Sequence, residues 1–507
     1  MAPRYRDHRV MRGAAESRGA ACADGAERRA PPLPVRKADA VRCRDAWWIR
    51  RVAPLVLTAL VLIGFAPLRA QDVKKTETYA RIKAALQAVR AIDTHEHLRG
   101  FDELPNRVAT PDGTGMTLFG IWSGSYYGWT NPLAPWPADG QFDTWWKQAE
   151  HNFDNARATS FYRYLLPAFR DLYGIDFDTI TAEQARSLNA RIFENYRNAD
   201  WLNDVIVNKA NIELMLIDPY WSRLQFARDY PYSVPVLNVT TLLSASHPGR
   251  VTSDADSPFA AARRMGLKAD SLDDYLAVVD RLFAEAVAAD AVCLKSTQAY
   301  QRSLRYGKVT KERAASIFQK PPAETTPEEQ GDFEDFMFWT ICGLSAKYDL
   351  PFQVHTGQAR IQGSNPMNLV DLIEANPKTK FILFHGGYPW IGETAVIAMR
   401  HKNVWIDSCW LPTLSYTVAK RAYQEWFEAF PSDRILWGAD TVNAEGIYAA
   451  TEFTRQCLAE ALAEKVERGE LREEHAIRIG GQVLRDNALK LFPRLERMLW
   501  RDGPPKS

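Results

Sequence analysis

The run Val89-Arg90-Ala91-Ile92-Asp93-Thr94-His95-Glu96-His97 decides how this chain is read. A short β-prone segment leads into two histidines one residue apart, and strand alternation sets both imidazoles on one face. The layout returns three times. Phe352-Gln353-Val354 runs into His355, Phe381-Ile382-Leu383-Phe384 into His385, and Ile435-Leu436-Trp437-Gly438-Ala439 into Asp440. Imidazole and carboxylate are the donors that a borderline or hard divalent cation such as Zn²⁺ or Mn²⁺ takes, and an incompletely filled shell serves to activate a water. A solitary histidine at a strand end is more often structural than a ligand. Five candidate ligands arriving independently at equivalent places reverse that presumption.

Further β-prone runs at 213–217, 234–243, 291–295 and 403–408 bring the total to eight, and helix-like stretches such as Leu272–Ala288, 334–347 and 369–375 separate most of them. Eight strands alternating with helices predict an α/β fold, a parallel (β/α)8 TIM barrel, in which catalytic side chains sit at the carboxyl ends of the strands. All the candidate ligands fall at those ends.

The 507 residues could hold two or three average domains, yet a barrel with insertions takes roughly 250 to over 400 residues as one unit, so 71–507 reads as a single domain. Net charge is +1 and no basic tract occurs in the folded region, which argues against nucleic acid or an anionic surface as a partner. The expected partner is a small-molecule substrate, and the reading allows a homo-oligomer. Cys293, Cys342 and Cys457 lie in apolar segments as buried thiols, while Cys409 ends the seventh strand and faces the expected pocket.

Residues 100–212 separate the first and second strands by more than an ordinary connection. They predict a mostly helical insertion on the catalytic side, rich in aromatics at Trp122, Tyr126, Tyr127, Trp129, Trp136, Trp145 and Trp146. As a lid it would exclude water and contact a sugar, an aromatic ring or a lipid-like tail, with Trp122 as the candidate contact. The alternative is that these rings pack the insertion onto the barrel.

The first 70 residues differ in composition. Residues 1–46 are rich in Arg, Ala and Pro; Arg50-Arg51 then precede an apolar stretch at 52–66 and Pro67-Leu68-Arg69-Ala70-Gln71. A basic flank, an apolar core and a small residue before Gln71 describe an export signal, so the expectation is a periplasmic or secreted protein. Membrane contact would come only through that signal or, alternatively, through residues 52–68 as an uncleaved anchor. The long region ahead of the signal suggests a start downstream, near Val35 or Val41.

Taken together, the motifs resemble the amidohydrolase superfamily, and 293–441 is similar to its amidohydrolase-related branch. The matching stretches are Leu294-Lys295-Ser296, His355-Thr356-Gly357, His385-Gly386-Gly387-Tyr388-Pro389 and Trp437-Gly438-Ala439-Asp440-Thr441, with a closing helix resembled by residues 481–492. The resemblance implies that His95, His97 and Asp440 bind a metal and that His355 ligates the same or a second ion. It further implies that His385 ligates or polarises the substrate oxygen and that Asp440 shuttles the proton. Zn²⁺ is the expected ion, with Mn²⁺ as alternative, and one ion is favoured over two. Lys295 aligns with Ala291 and Cys293 toward the barrel interior, where an unpaired ammonium is costly. It is read as an ammonium holding substrate or pairing with Asp407 or Asp440, with a metal-bridging carbamate or a purely structural role as alternatives. Tyr300, Arg302 and Arg305 follow in the next loop and suit a substrate carboxylate, solvated surface arginines being the other reading.

The implied function is a metal-dependent hydrolase that cleaves an amide, ester or lactone with a metal-activated water, with Asp440, His385 and Lys295 as its catalytic residues. A decarboxylase or sugar-acid isomerase on the same scaffold is the alternative, since fold and metal do not fix chemistry. From another class, a non-catalytic envelope protein would hold a structural metal in a closed shell.

Overall fold

A computed structural model describes residues 72–226 and 228–500. The expected leader and export signal lie outside the described residues. Eight strands form one sheet: β1 (Ala91–Glu96), β2 (Ile212–Ile217), β3 (Ser233–Asn238), β4 (Cys293–Ser296), β5 (Phe352–Val354), β6 (Phe381–Leu383), β7 (Val404–Asp407) and β8 (Ile435–Leu436). Every residue of β1, β3 and β4 is buried, as expected of strands covered on both faces in a parallel sheet. Each strand pairs in parallel with the next in sequence, so that Lys295 stands beside Asn238 on one side and Gln353 on the other. The ring closes through backbone bonds between β1 and the β8 end: Thr94 N–H donates to the Trp437 carbonyl (3.2 Å), Asp440 N–H to His95 (3.0 Å) and His97 N–H to Thr441 (3.1 Å). This seam is what brings the paired histidines to Asp440.

Helices pack outside the strands. Leu272–Ala288 has the bounds that its periodicity predicts, because Ser271 and Asp274 close a capping box at its start. The helix before β5 runs Pro327–Tyr348, two turns longer than its apolar pattern. Its first turns are built from an acidic stretch ahead of that pattern, where Thr326 and Glu329 cap one another and Pro327 takes the first position. At the amino end of the barrel, Arg455 of helix Ala444–Glu467 is fully buried and donates to the carbonyls of Ala210 (2.8 Å) and Val89 (2.9 Å), which precede β2 and β1. Gly480 lies so close to helix Glu77–Ala88 that a Cβ there would meet Leu86 Cδ2 at 2.2 Å.

The insertion after β1 is mostly helical, with one short hairpin of Val108–Thr110 and Gly113–Gly115. Its aromatic side chains gather around Trp122, in one continuous core with the barrel, and it is tied to the barrel at a buried carboxylate. Glu445, in the first turn of the helix that follows Asp440, accepts from Tyr173 Oη (2.6 Å), Tyr196 Oη (2.5 Å) and Trp201 Nε1 (3.1 Å). All four cysteines among the described residues are buried and free. No helix among the described residues is long and apolar enough to cross a membrane.

Candidate functional site

His95 and His97 project from the end of β1 with ring centroids 4.8 Å apart, edge to face. His97 Nε2 lies 3.2 Å from Asp440 Oδ1, and its Nδ1 is 3.1 Å from the Asp218 carbonyl. A carbonyl can only accept, so Nδ1 carries the proton and the Nε2 lone pair is turned on a carboxylate. The same conflict recurs across the pocket. His385 Nδ1 meets the Cys409 carbonyl (2.9 Å) and His355 Nε2 the Gln358 carbonyl (3.0 Å), which leaves His385 Nε2 and His355 Nδ1 facing one another at 3.1 Å with a lone pair each. Facing acceptors need a cation between or beside them, a proton or a metal ion.

The donor set fits a divalent metal on further grounds. Two donors about 2.1 Å from one tetrahedral ion lie about 3.4 Å apart, close to the His97–Asp440 separation. The nearest donor atoms of His95, His97 and Asp218 lie within 4.8 Å of one another, as do those of His385, Cys409 and Asp440. His95 Nδ1 and Asp218 Oδ2 are buried with no hydrogen-bond partner among the described residues. The residues that would hold an ion are therefore His97 and Asp440, with His95 and Asp218 on one side and His385 and His355 on the other.

Electrostatics separate the roles. Burial, and then the charge of Lys295, hold His95 well below the ordinary imidazole value; burial does the same to His355, and lowers His385 to about 4. These three are neutral at pH 7, as ligands must be. Burial also works against a charged His97, but the hydrogen bond and charge of Asp440 outweigh it and His97 is raised. Burial works to raise Asp440, yet the His97 bond and the surrounding imidazoles hold it well below the carboxylate range. Asp440 is an ionised carboxylate 5% exposed, the right species to bind a cation or accept a proton. Its backbone is left-handed, φ 56°, and is braced on both sides. Asp93 accepts from Ala439 N–H (3.2 Å) and Glu96 from Thr441 N–H (2.9 Å), while burial pushes Asp93 up to about 7 and Glu96 well above the usual range.

Lys295 is 1% exposed, with Nζ 3.0 Å from His95 Nε2 and 4.0 Å from the centroid of Phe384. It does not make the direct ion pair with Asp407 or Asp440 that its position suggests. Asp407 is taken by Thr94 Oγ1 (2.5 Å) and Cys409 N–H (2.8 Å). Tyr300 reaches the pocket, its ring 4.5 Å from that of His355.

Two expected substrate contacts stand elsewhere. Trp122 is fully buried and enclosed by Tyr127, Phe153, Tyr162, Phe169 and Phe177, so its indole offers no surface to a substrate. Arg302 is saturated by Glu334 (3.1 Å), Asp335 and the carbonyls of Gly331, Ser303 and Arg305, which fasten its loop to helix Pro327–Tyr348. Arg305 is exposed on the same loop.

Asp218, which the sequence reading does not single out, belongs here, as do Asp407 and Tyr126 in roles beyond those it suggests. Asp218 follows β2 in the layout of Asp440, a signal that was present, and its Oδ1 accepts from Asn238 Nδ2 (2.8 Å). Asp407 likewise ends β7. Tyr126 comes from the insertion in a left-handed conformation, φ 61°, packs on Trp410 (4.9 Å) and donates from Oη to Asp440 Oδ1 (3.1 Å). No local pattern marks that reach.

Histidines and carboxylates gathered at the carboxyl ends of a closed parallel barrel define the class: a (β/α)8 protein with a candidate centre for a divalent metal. The family model described as Amidohydrolase matches residues 214–494, more than half of the sequence. The chain belongs to the amidohydrolase family. Among solved structures it is similar to a uronate isomerase from Thermotoga maritima, at 14% identity and a TM-score of 0.66, covering 82% of this chain and 97% of that one. A glucuronate isomerase from Caulobacter crescentus gives 14% identity and a TM-score of 0.61, covering 87% and 98%. A protein from Lactobacillus casei described as a metal-dependent hydrolase gives 17% identity and a TM-score of 0.57, covering 83% and 99%. At such identities these likenesses speak for the fold. No curated protein matches the chain.

Proposed function

We propose that this chain is a metal-dependent hydrolase that cleaves an amide, ester or lactone bond in a small substrate, with one Zn²⁺ held by His97, Asp440 and neighbouring imidazoles. The observation that carries the reading is Asp440, an ionised carboxylate against His97 among histidines that burial keeps neutral. A divalent ion held there would lower the pKa of water to about 7 and polarise the substrate carbonyl. Asp440 is then placed to accept the proton of the attacking water and to return it to the leaving group. Tyr126 Oη, bonded to the same carboxylate oxygen, steadies Asp440 and can pass its own hydrogen bond to a substrate oxygen. Lys295, against His95 and Phe384, keeps positive charge beneath the reacting bond. The export signal read in the sequence would place this activity outside the cytoplasm.

A second reading, sugar-acid isomerisation, is favoured by the Tyr126–Asp440 contact, which sets a phenol O–H beside a carboxylate able to accept a proton, and by the similarity in fold to uronate isomerases. One experiment separates them. Metal-loaded protein is incubated in H₂¹⁸O with lactones, N-acyl amino acids, aromatic esters and hexuronates, and products are read by mass spectrometry. Hydrolysis predicts a product carboxylate carrying ¹⁸O. Conversion of a uronate to a ketose of unchanged mass, with no hydrolytic turnover, would overturn the first reading in favour of the second.

A further inference from the structure

Arg99 lies two residues beyond the second β1 histidine, at the rim of the pocket. Its guanidinium stands 3.9 Å from the ring centroid of Trp221, and the same indole is 6.0 Å from the imidazole of His97. Trp221 follows β2 and is 41% exposed, so this platform faces solvent at the mouth. Other arginines nearby are occupied: Arg223, over Tyr220, pairs with Asp256 (3.3 Å), and Arg302 is fastened to Glu334 and Asp335. Among the described residues the Arg99 guanidinium donates no hydrogen bond and reaches no carboxylate at ion-pair distance. Glu103 acts on it only through space, and the Asp229 carboxyl sits against Gly100.

A half-buried guanidinium held against an indole keeps its plane fixed and its N–H fork free, which is the arrangement that receives a planar anion in bidentate fashion. A carboxylate matches that fork. A phosphate dianion would bring two charges toward a pocket already lined by Asp218, Asp407 and Asp440, where repulsion opposes it. Lys295, 1% exposed beneath His95, is not placed to meet an incoming acid at the rim.

We infer that Arg99, seated on Trp221, binds a carboxylate of the substrate, so that this site takes small organic acids whose carboxylate lies about one indole's width from the reacting bond. The inference rests on the pocket described above being the reacting centre. It concerns recognition rather than turnover, so the ¹⁸O experiment can fail while this one succeeds, and the reverse.

The test is calorimetric titration of the metal-loaded full-length protein with benzoate, with its neutral counterpart benzamide, and with inorganic phosphate. The parent should bind benzoate at least about tenfold more tightly than benzamide. Arg99→Gln should weaken benzoate by about tenfold or more while leaving benzamide and metal content unchanged, and Trp221→Leu should weaken benzoate by a smaller factor. Undiminished benzoate binding in Arg99→Gln, equal loss of both aromatic ligands, tighter binding of phosphate than of benzoate, or no benzoate binding by the parent would each overturn the inference.

Discussion

Asp440→Asn isolates the charge of one group while preserving its place. The backbone at 440 is left-handed, φ 56°, a conformation that asparagine adopts as readily as aspartate, and the braces from Asp93 and Glu96 reach neighbouring amides rather than this side chain. The variant therefore keeps its geometry and an oxygen donor but can no longer accept a proton. A positioned proton-transfer group contributes about 10²-fold to 10⁴-fold, so turnover should fall by at least about 10², or about 2.7 kcal/mol in the barrier. The substitution has a second readout that needs no substrate. His97 is raised because Asp440 outweighs burial; with the charge gone, burial prevails and His97 moves down. In the metal-free parent the ion pair exists between the depressed value of Asp440 and the raised value of His97. Its stability is lost as pH falls through the first, and lost as pH rises through the second. The variant should lack this window. Steady-state kinetics, metal analysis and NMR titration of the His97 ring measure the three quantities. Near-parental turnover at full metal occupancy would show that another group carries the proton.

Replacing both His95 and His97 by Ala should abolish metal retention and leave the circular dichroism of the barrel unchanged; stoichiometric metal in that variant would remove both from the ligand set. Metal binding to the metal-free protein near pH 7 should release no more than about one proton, that of His97, because burial has already stripped His95, His355 and His385. Calorimetry in buffers of different ionisation enthalpy reads this, and a release of two or more would contradict the assignment. Lys295→Ala should leave metal near one equivalent per chain and lower turnover or substrate binding, whereas two equivalents in the parent falling to one or none would indicate a bridging role. Glu445→Ala leaves two buried phenols and a partly buried indole N–H unpaired and should cost about 3 kcal/mol in urea unfolding; a change below about 0.5 kcal/mol would mean that the tie is not stabilising.

What was legible in the sequence is whatever a strand end makes local. The runs before His95, His355, His385 and Asp440 disclose both a strand and a ligand in a few consecutive residues, and the barrel follows from their recurrence. Asp218 carries the same signal in weaker form, an acid directly after the β-prone run that ends at Ile217. The aromatic insertion was legible as an insertion and not as geometry. Trp122 and Tyr126 are four residues apart, yet one is enclosed among five rings and the other reaches Asp440, a division set by packing across the domain. Arg302 and Arg99 make the same point about charge. Arg302 reads as a substrate contact but is occupied by acids on helix Pro327–Tyr348, while Arg99, which carries no local signal, lies over an indole.

The tie at Glu445 has a bearing on how molecules come and go. Its three donors come from three separate places in the insertion, and opening it would break all three bonds at once. Hydrogen bonds to a charged group are worth about 1.5–3 kcal/mol each, so a swung-out insertion would occupy fewer than about one molecule in a hundred. The insertion is a wall rather than a door. Traffic must pass over the rim where Trp129 and Trp221 are left 43% and 41% exposed, and bulk added to either indole should slow arrival and departure together while the chemistry beneath runs at its own pace.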